Sequence, residues 1–77
     1  MSKAERDLLY KTIDDKQIEF IKTYRKPPRY IKIPLWIFEA LKTETLKIEY
    51  LTGKIQLCNM YVCETETIAK IEEIEVF

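Results

Sequence analysis

Lys26-Pro27-Pro28-Arg29-Tyr30-Ile31-Lys32-Ile33-Pro34 decides the fold. Proline has no N–H and pushes its predecessor out of the α region, so any helix arriving from upstream ends by Lys26. Residues 29–33 then read as a short strand, with Tyr30, Ile31 and Ile33 as its apolar members. Pro34 suits the first turn of a new helix, because its φ is already helical. The spacing predicts that helix over residues 34–43. Ile37, Phe38, Ala40 and Leu41 form its inner face, and Trp36 sits on the shoulder, directed into the core.

Upstream, Leu8, Leu9, Ile13, Ile18, Phe20, Ile21 and Tyr24 recur at helical spacing. Asp14 with Gln17 three residues on has the form of a capping box, which predicts a helix start at Asp15 and an end near Lys26. Residues 3–12 form either a separate short helix or the first part of one long helix. Downstream, residues 46–50 and 54–57 alternate with period two. Between them Gly53, the one glycine, supplies a turn. A two-residue Thr52-Gly53 turn places Ile48 opposite Leu57 and Tyr50 opposite Ile55; threonine is a poor first residue for that turn, so a longer loop is the alternative. Asn59 marks a second turn, residues 61–64 a further strand, and Ile71, Ile74 and Val76 a last one. The expected architecture is a single α+β domain over residues 1–77. It has an N-terminal helix or helices, a short strand, a second helix and a C-terminal antiparallel β-meander.

The chain has 77 residues and is 47% apolar. A domain near this size buries about 60% of the surface its unfolded chain exposes, so it is marginal alone and homo-oligomerisation would help it. No leader or membrane-spanning run is expected from the charged start Met1-Ser-Lys-Ala-Glu-Arg-Asp7. Cys58 and Cys63 read as reduced, partly buried small hydrophobes in a reducing compartment. The five-residue spacing leaves a cross-strand disulfide as the alternative.

Histidine is absent and serine occurs once, at Ser2. That excludes Ser-His and Cys-His nucleophile systems within one chain. Two cysteines alone cannot close a tetrahedral zinc site. One glycine cannot build a phosphate-cradling loop. The expectation is a non-enzymatic protein with no cofactor and no metal.

Charge supplies the functional lead. Residues 22–32 carry Lys22, Arg25, Lys26, Arg29 and Lys32 with no acidic residue, and they include Tyr24 and Tyr30. Residues 58–77 carry Glu64, Glu66, Glu72, Glu73 and Glu75 against Lys70. Glu72, Glu73 and Glu75 read as the solvent face of an edge strand, where charge discourages strand addition. The chain is neutral in sum yet bipolar, and the two poles are expected to stay apart after folding. Three readings of the basic segment compete. Its cations could complement a helix C-terminus and pair with the chain's own glutamates. They could meet an acidic partner or a second copy, where complementarity sets orientation and association rate. Or they could contact nucleic-acid phosphates while Tyr24 or Tyr30 stacks on a base.

Residues 25–33, Arg-Lys-Pro-Pro-Arg-Tyr-Ile-Lys-Ile, precede a helical stretch at 35–42, a glycine-containing hairpin, and Leu57-Cys-Asn-Met-Tyr-Val-Cys-Glu-Thr65. This arrangement resembles small uncharacterised proteins encoded by phages and prophages of Gram-positive bacteria, over roughly residues 17–77. The resemblance implies a phage-related setting, in the host cytoplasm or with the virion, and no residue role. The function expected is a non-enzymatic protein-interaction or assembly module. It would use Lys22, Tyr24, Arg25, Lys26, Arg29, Tyr30 and Lys32, with Trp36 as an interface anchor should it prove exposed. Its partner is a protein or itself, with no membrane. The alternative is nucleic-acid binding through the same basic residues.

Overall fold

The computed structural model describes residues 1–42, 47–49 and 54–77. One helix, α1 (Lys3–Tyr24), runs unbroken for 22 residues through Asp14 and Asp15. The start predicted at Asp15 is therefore wrong. The cap is Ser2: its Oγ accepts from the Glu5 N–H at 3.1 Å, and the Glu5 carboxylate accepts from the Ser2 N–H at 3.0 Å. Such a box satisfies two donors that the first turn leaves open and is worth roughly 0.5–2 kcal/mol where it has been measured. Two aspartates in mid-helix cost only about 0.7 kcal/mol each in propensity, too little to break a helix that a cap and a core already hold. The Ser2 backbone and then its hydroxyl hold the Glu5 carboxyl below the usual carboxylate range. Because the folded value is lowered, this contribution is present at neutral pH and is lost as pH falls through it.

α1 ends at Tyr24, two residues before the predicted boundary. Arg25 closes it in the left-handed region, φ 59°, with its N–H on the Ile21 carbonyl at 2.8 Å. Pro27 and Pro28 then carry the chain out, Pro28 buried. Strand β1 (Tyr30–Pro34) follows one residue later than expected. Helix α2 (Leu35–Leu41) buries Ile37, Phe38 and Leu41, with Ala40 half-buried. Pro34 caps α2 from the strand side and does not start it.

Three further strands, β2 (Lys47–Glu49), β3 (Lys54–Leu57) and β4 (Met60–Thr65), lead to a 3₁₀ turn (Ile71–Glu73) and β5 (Glu75–Val76). The sheet order is β2-β3-β4-β1-β5. α+β is thus the class, but the sheet is mixed where an antiparallel meander was expected. β1 inserts between β4 and β5, parallel to β4 and antiparallel to β5. Only β2, β3 and β4 are neighbours in chain order. The connection from residue 35 to residue 59 is long enough for a parallel return, which a hairpin is not.

The β2–β3 register also differs from the prediction. Ile48 pairs with Ile55 and Glu49 with Lys54, which sets four residues between the strands in place of a two-residue turn. Tyr50 and the Thr52-Gly53 turn itself lie outside the described residues. The second turn is the tight one. Leu57 pairs with Met60 across Cys58 and Asn59, whose φ angles are 51° and 65°. Both central residues are left-handed, as a two-residue turn matched to strand twist requires. Asn59 tolerates that region; a β-branched residue does not. Asn59→Val should therefore lower the unfolding free energy by about 1–2 kcal/mol. Urea denaturation checks this, and Asn59 is exposed, so lost packing would not explain the loss.

Alternation along β1 sends Ile31 and Ile33 inward and Tyr30 and Lys32 outward. The inward set meets Leu57, Met60, Ile71 and Ile74, and both helices close over them with Leu9, Ile13, Ile37, Phe38 and Leu41. Full burial of one such side chain stabilises by about 1.5–3 kcal/mol. Of the three glutamates assigned to an edge strand, only Glu75 is on one. Glu72 and Glu73 belong to the 3₁₀ turn, where Glu73 accepts the Lys70 N–H at 3.0 Å. Among the described residues no helix is long and apolar enough to cross a membrane.

Candidate functional site

The end of the sheet where β1 and β4 begin brings two cations, three side-chain amides and Tyr61 together. Arg29 is fixed there by its backbone. Its N–H donates to the Phe77 carbonyl at 3.0 Å, and its own carbonyl accepts from the Tyr61 N–H at 2.8 Å. The Pro27-Pro28 step holds Lys26 beside it. The Cys58-Asn59 turn rises opposite, and Gln17 of α1 ties the two sides together by donating from Nε2 to the Cys58 carbonyl at 3.3 Å. The result is an open groove of about 680 Å³, lined by Lys26, Arg29, Gln17, Gln56, Asn59 and Tyr61, with Pro27, Pro28 and Cys58 as its apolar wall. None of these nine residues is acidic.

Tyr61 carries the site onto the outer sheet face. The pairing of β4, β1 and β5 sets Tyr61, Tyr30 and Phe77 in a row across three neighbouring strands. The Tyr30 ring lies 5.9 Å from Tyr61 and 5.5 Å from Phe77, nearly parallel to the latter at 19°. Tyr30 is 38% and Phe77 48% exposed. Lys32 stands beside the row, its Nζ 5.9 Å from the centre of the Phe77 ring.

The basic segment is therefore divided among three places. Lys26 and Arg29 face the groove. Tyr30 and Lys32 belong to the aromatic row. Lys22, Tyr24 and Arg25 occupy the end of α1, where Tyr24 packs against Phe20 at 4.5 Å between centroids. The expectation of two poles held apart fails at one point. β5 lies beside β1 and brings the Glu75 carboxylate to 4.0 Å from Lys32. An exposed pair at that distance contributes little to stability, about 0–1 kcal/mol. Among the described residues, Lys22, Arg25, Lys26 and Arg29 have no carboxylate within ion-pair distance. Pairing of these cations with the chain's own glutamates, one of the three readings of the basic segment, does not occur there.

Trp36 is not core: it is 41% exposed. Its indole N–H donates to the Ala69 carbonyl at 2.6 Å, which holds the ring against the segment leading to the 3₁₀ turn and away from groove and row. Sequence reasoning missed Gln17, Gln56, Asn59, Tyr61 and Phe77 as site residues. Their only sequence signal was alternation for Gln56 and Tyr61, and alternation does not say which strands adjoin.

Both cysteines are free. Cys58 forms the turn and Cys63 lies across from Lys32 in the β1–β4 ladder, so the bridge spacing imagined for a hairpin does not arise. Burial pushes the Cys58 thiol up, with the Asp14 carboxylate adding to the shift. A raised thiol disfavours the thiolate that a nucleophile or a metal ligand needs. No group of three His, Cys, Asp or Glu that could hold a metal ion occurs among the described residues. Among the described residues, what the groove and row offer together is two cations outside any ion pair, three side-chain amides and three aromatic rings.

No family model, curated protein or solved structure matches this chain.

Proposed function

We propose that this protein is a non-catalytic binding module that holds a single-stranded nucleic acid along the groove and the adjoining aromatic row. One observation carries the reading: the half-buried Tyr61 lines both features, so an acid-free, cation-bearing groove runs directly onto the exposed rings of Tyr30 and Phe77. Bases of a single strand are free to stack on such rings, at about 1–3 kcal/mol per base, while Lys26 and Arg29 take phosphates. The exposed Asn59 amide supplies a donor and an acceptor for base edges, and Gln17 an acceptor in Oε1, its Nε2 being held by the Cys58 carbonyl. A duplex keeps its bases stacked on one another and gains nothing from the row. An acidic peptide would use the cations but leave the rings idle. The resemblance noted in the sequence adds a setting to this proposal, a phage or prophage, with the protein in the host cytoplasm or the virion.

The test is a fluorescence titration with labelled single- and double-stranded oligonucleotides at two salt concentrations. Single strands should bind more tightly, and log K should fall with log salt at a slope of about −1.4, two contacts at roughly −0.7 each. A Kd above about 10⁻⁴ M at physiological salt, weaker than ordinary non-specific binding, would dismiss the proposal.

A second reading, self-assembly, is favoured by a different surface. The half of α1 after Ile13 has no buried residue, although it carries Ile18, Phe20, Ile21 and Tyr24.

A further inference from the structure

The outward side of α1 is self-complementary. Leu9 and Ile13 turn to the core. Asp14, Ile18, Ile21 and Arg25 are four, three and four residues apart, the spacing of a coiled-coil seam, and they fall on an exposed side roughly a third of a turn round the helix from Leu9 and Ile13. All four are exposed, both isoleucines at 45%. Asp15 and Lys22 flank the seam on one edge and are exposed as well. Among the described residues none of these four charged side chains has an ion-pair partner. The order along the helix is acid, acid, apolar, apolar, base, base.

We infer that two copies of the chain pair through α1 in antiparallel orientation about a two-fold axis between Ile18 and Ile21. In that register Ile18 of one copy meets Ile21 of the other, and Asp14 meets Arg25. The flanking Asp15 meets Lys22. Symmetry repeats each contact, so four ion pairs surround four isoleucine side chains. An isologous contact of this kind closes on itself and leaves no free end for growth. A parallel pairing would set Asp14 on Asp14 and Arg25 on Arg25, which is repulsive at both ends; charge on the seam and its flanks thus selects the orientation. Arg25 lies just past the last helical residue, in the left-handed cap, and its long side chain spans the remaining distance.

The pairing also accounts for the division of the basic segment. Lys22 and Arg25 serve the helix seam, while Lys26 and Arg29 remain over the groove. The inference rests on the self-assembly reading and not on nucleic-acid binding.

Sedimentation equilibrium of the full chain, up to about 1 mM, tests it. The wild-type chain should show a reversible monomer–dimer equilibrium. Asp14→Lys with Asp15→Lys makes the seam wholly cationic, and Lys22→Glu with Arg25→Glu makes it wholly acidic. Each double variant alone should weaken dimerisation at least about tenfold, and an equimolar mixture of the two should restore it as a heterodimer. Restoration in the mixture also shows that both variants are folded. A wild-type chain that stays monomeric across this range overturns the self-assembly reading and the inference with it. A wild-type dimer that both double variants retain overturns the α1 register alone. Variants that lose the dimer without recovering it on mixing also overturn that register, once their far-UV circular dichroism matches wild type.

Discussion

Lys26→Glu combined with Arg29→Glu abolishes single-strand binding at low salt, reducing the association constant by at least about 100-fold, and leaves the fold intact. The double change removes two phosphate contacts and sets two anions in a groove that has none. Like-charge juxtaposition at an interface costs several kcal/mol, so a hundredfold loss, about 2.7 kcal/mol, is a lower bound. Stability should not follow, because both side chains are exposed and neither is in an ion pair among the described residues. The loss should shrink as salt rises, since screening weakens attraction and repulsion together. Tyr61→Ala gives the contrasting signature. It removes a stacking platform worth about 1–3 kcal/mol, and its effect should be nearly independent of salt. Lys22→Glu with Arg25→Glu serves as the charge control, since Lys22 lies on α1, Arg25 caps its end, and neither lines the groove. An equal loss of oligonucleotide binding in that control would mean that overall charge, and not the groove, attracts the strand.

Ile31→Ala removes a large part of the chain's stability, about 2–5 kcal/mol. Ile31 is wholly buried in β1, which is hydrogen-bonded to β4 on one side and β5 on the other. Truncating such a side chain costs about 2–5 kcal/mol, the transfer of the lost methyls plus the cavity left behind. A single core of this size supplies roughly 3–5 kcal/mol in total. The two ranges overlap, so the variant keeps at most about 3 kcal/mol and its margin is largely lost. Far-UV circular dichroism with urea titration measures it, and Leu8→Ala is the reference. Leu8 is an exposed residue of α1, where truncation should change stability by no more than about 0.5 kcal/mol. A loss below about 1 kcal/mol for Ile31→Ala would contradict a core centred on β1.

Much of the path of the chain was legible beforehand. Pro27 and Pro28 end α1 by removing N–H groups and by steric exclusion, and both effects act between adjacent residues. Ile31 and Ile33 alternate with Tyr30 and Lys32, so β1 and its inward face could be read directly. Ile37, Phe38 and Leu41 recur at helical spacing and form the buried side of α2. Asn59 signalled a turn because its side chain tolerates positive φ, and the turn is there. Asp14 misled because a capping box is a pattern of side chains, and a pattern can occur where the backbone has no free N–H to satisfy. Ser2 and Glu5 form the same reciprocal contact at the end where the N–H groups are free. The site was half legible. The cations and Tyr30 were named, but not Tyr61, Gln56, Asn59 and Phe77, which come from strands, a turn and a chain end far along the sequence.

From the amino-acid order alone came the α+β class, the break after α1, the strand–helix step that follows, and the unequal distribution of charge. These depend on sterics and periodicity within a few residues. Tertiary structure alone decided that β1 lies between β4 and β5, that Trp36 is half in solvent, that Glu75 reaches Lys32, and that Lys26 and Arg29 face Tyr61 across one groove. Those outcomes depend on which distant strands share a hydrogen-bond ladder. That choice is made by burial of Ile31, Ile33, Leu57, Met60 and Ile74 in one common core, a property of the whole chain and of no window within it.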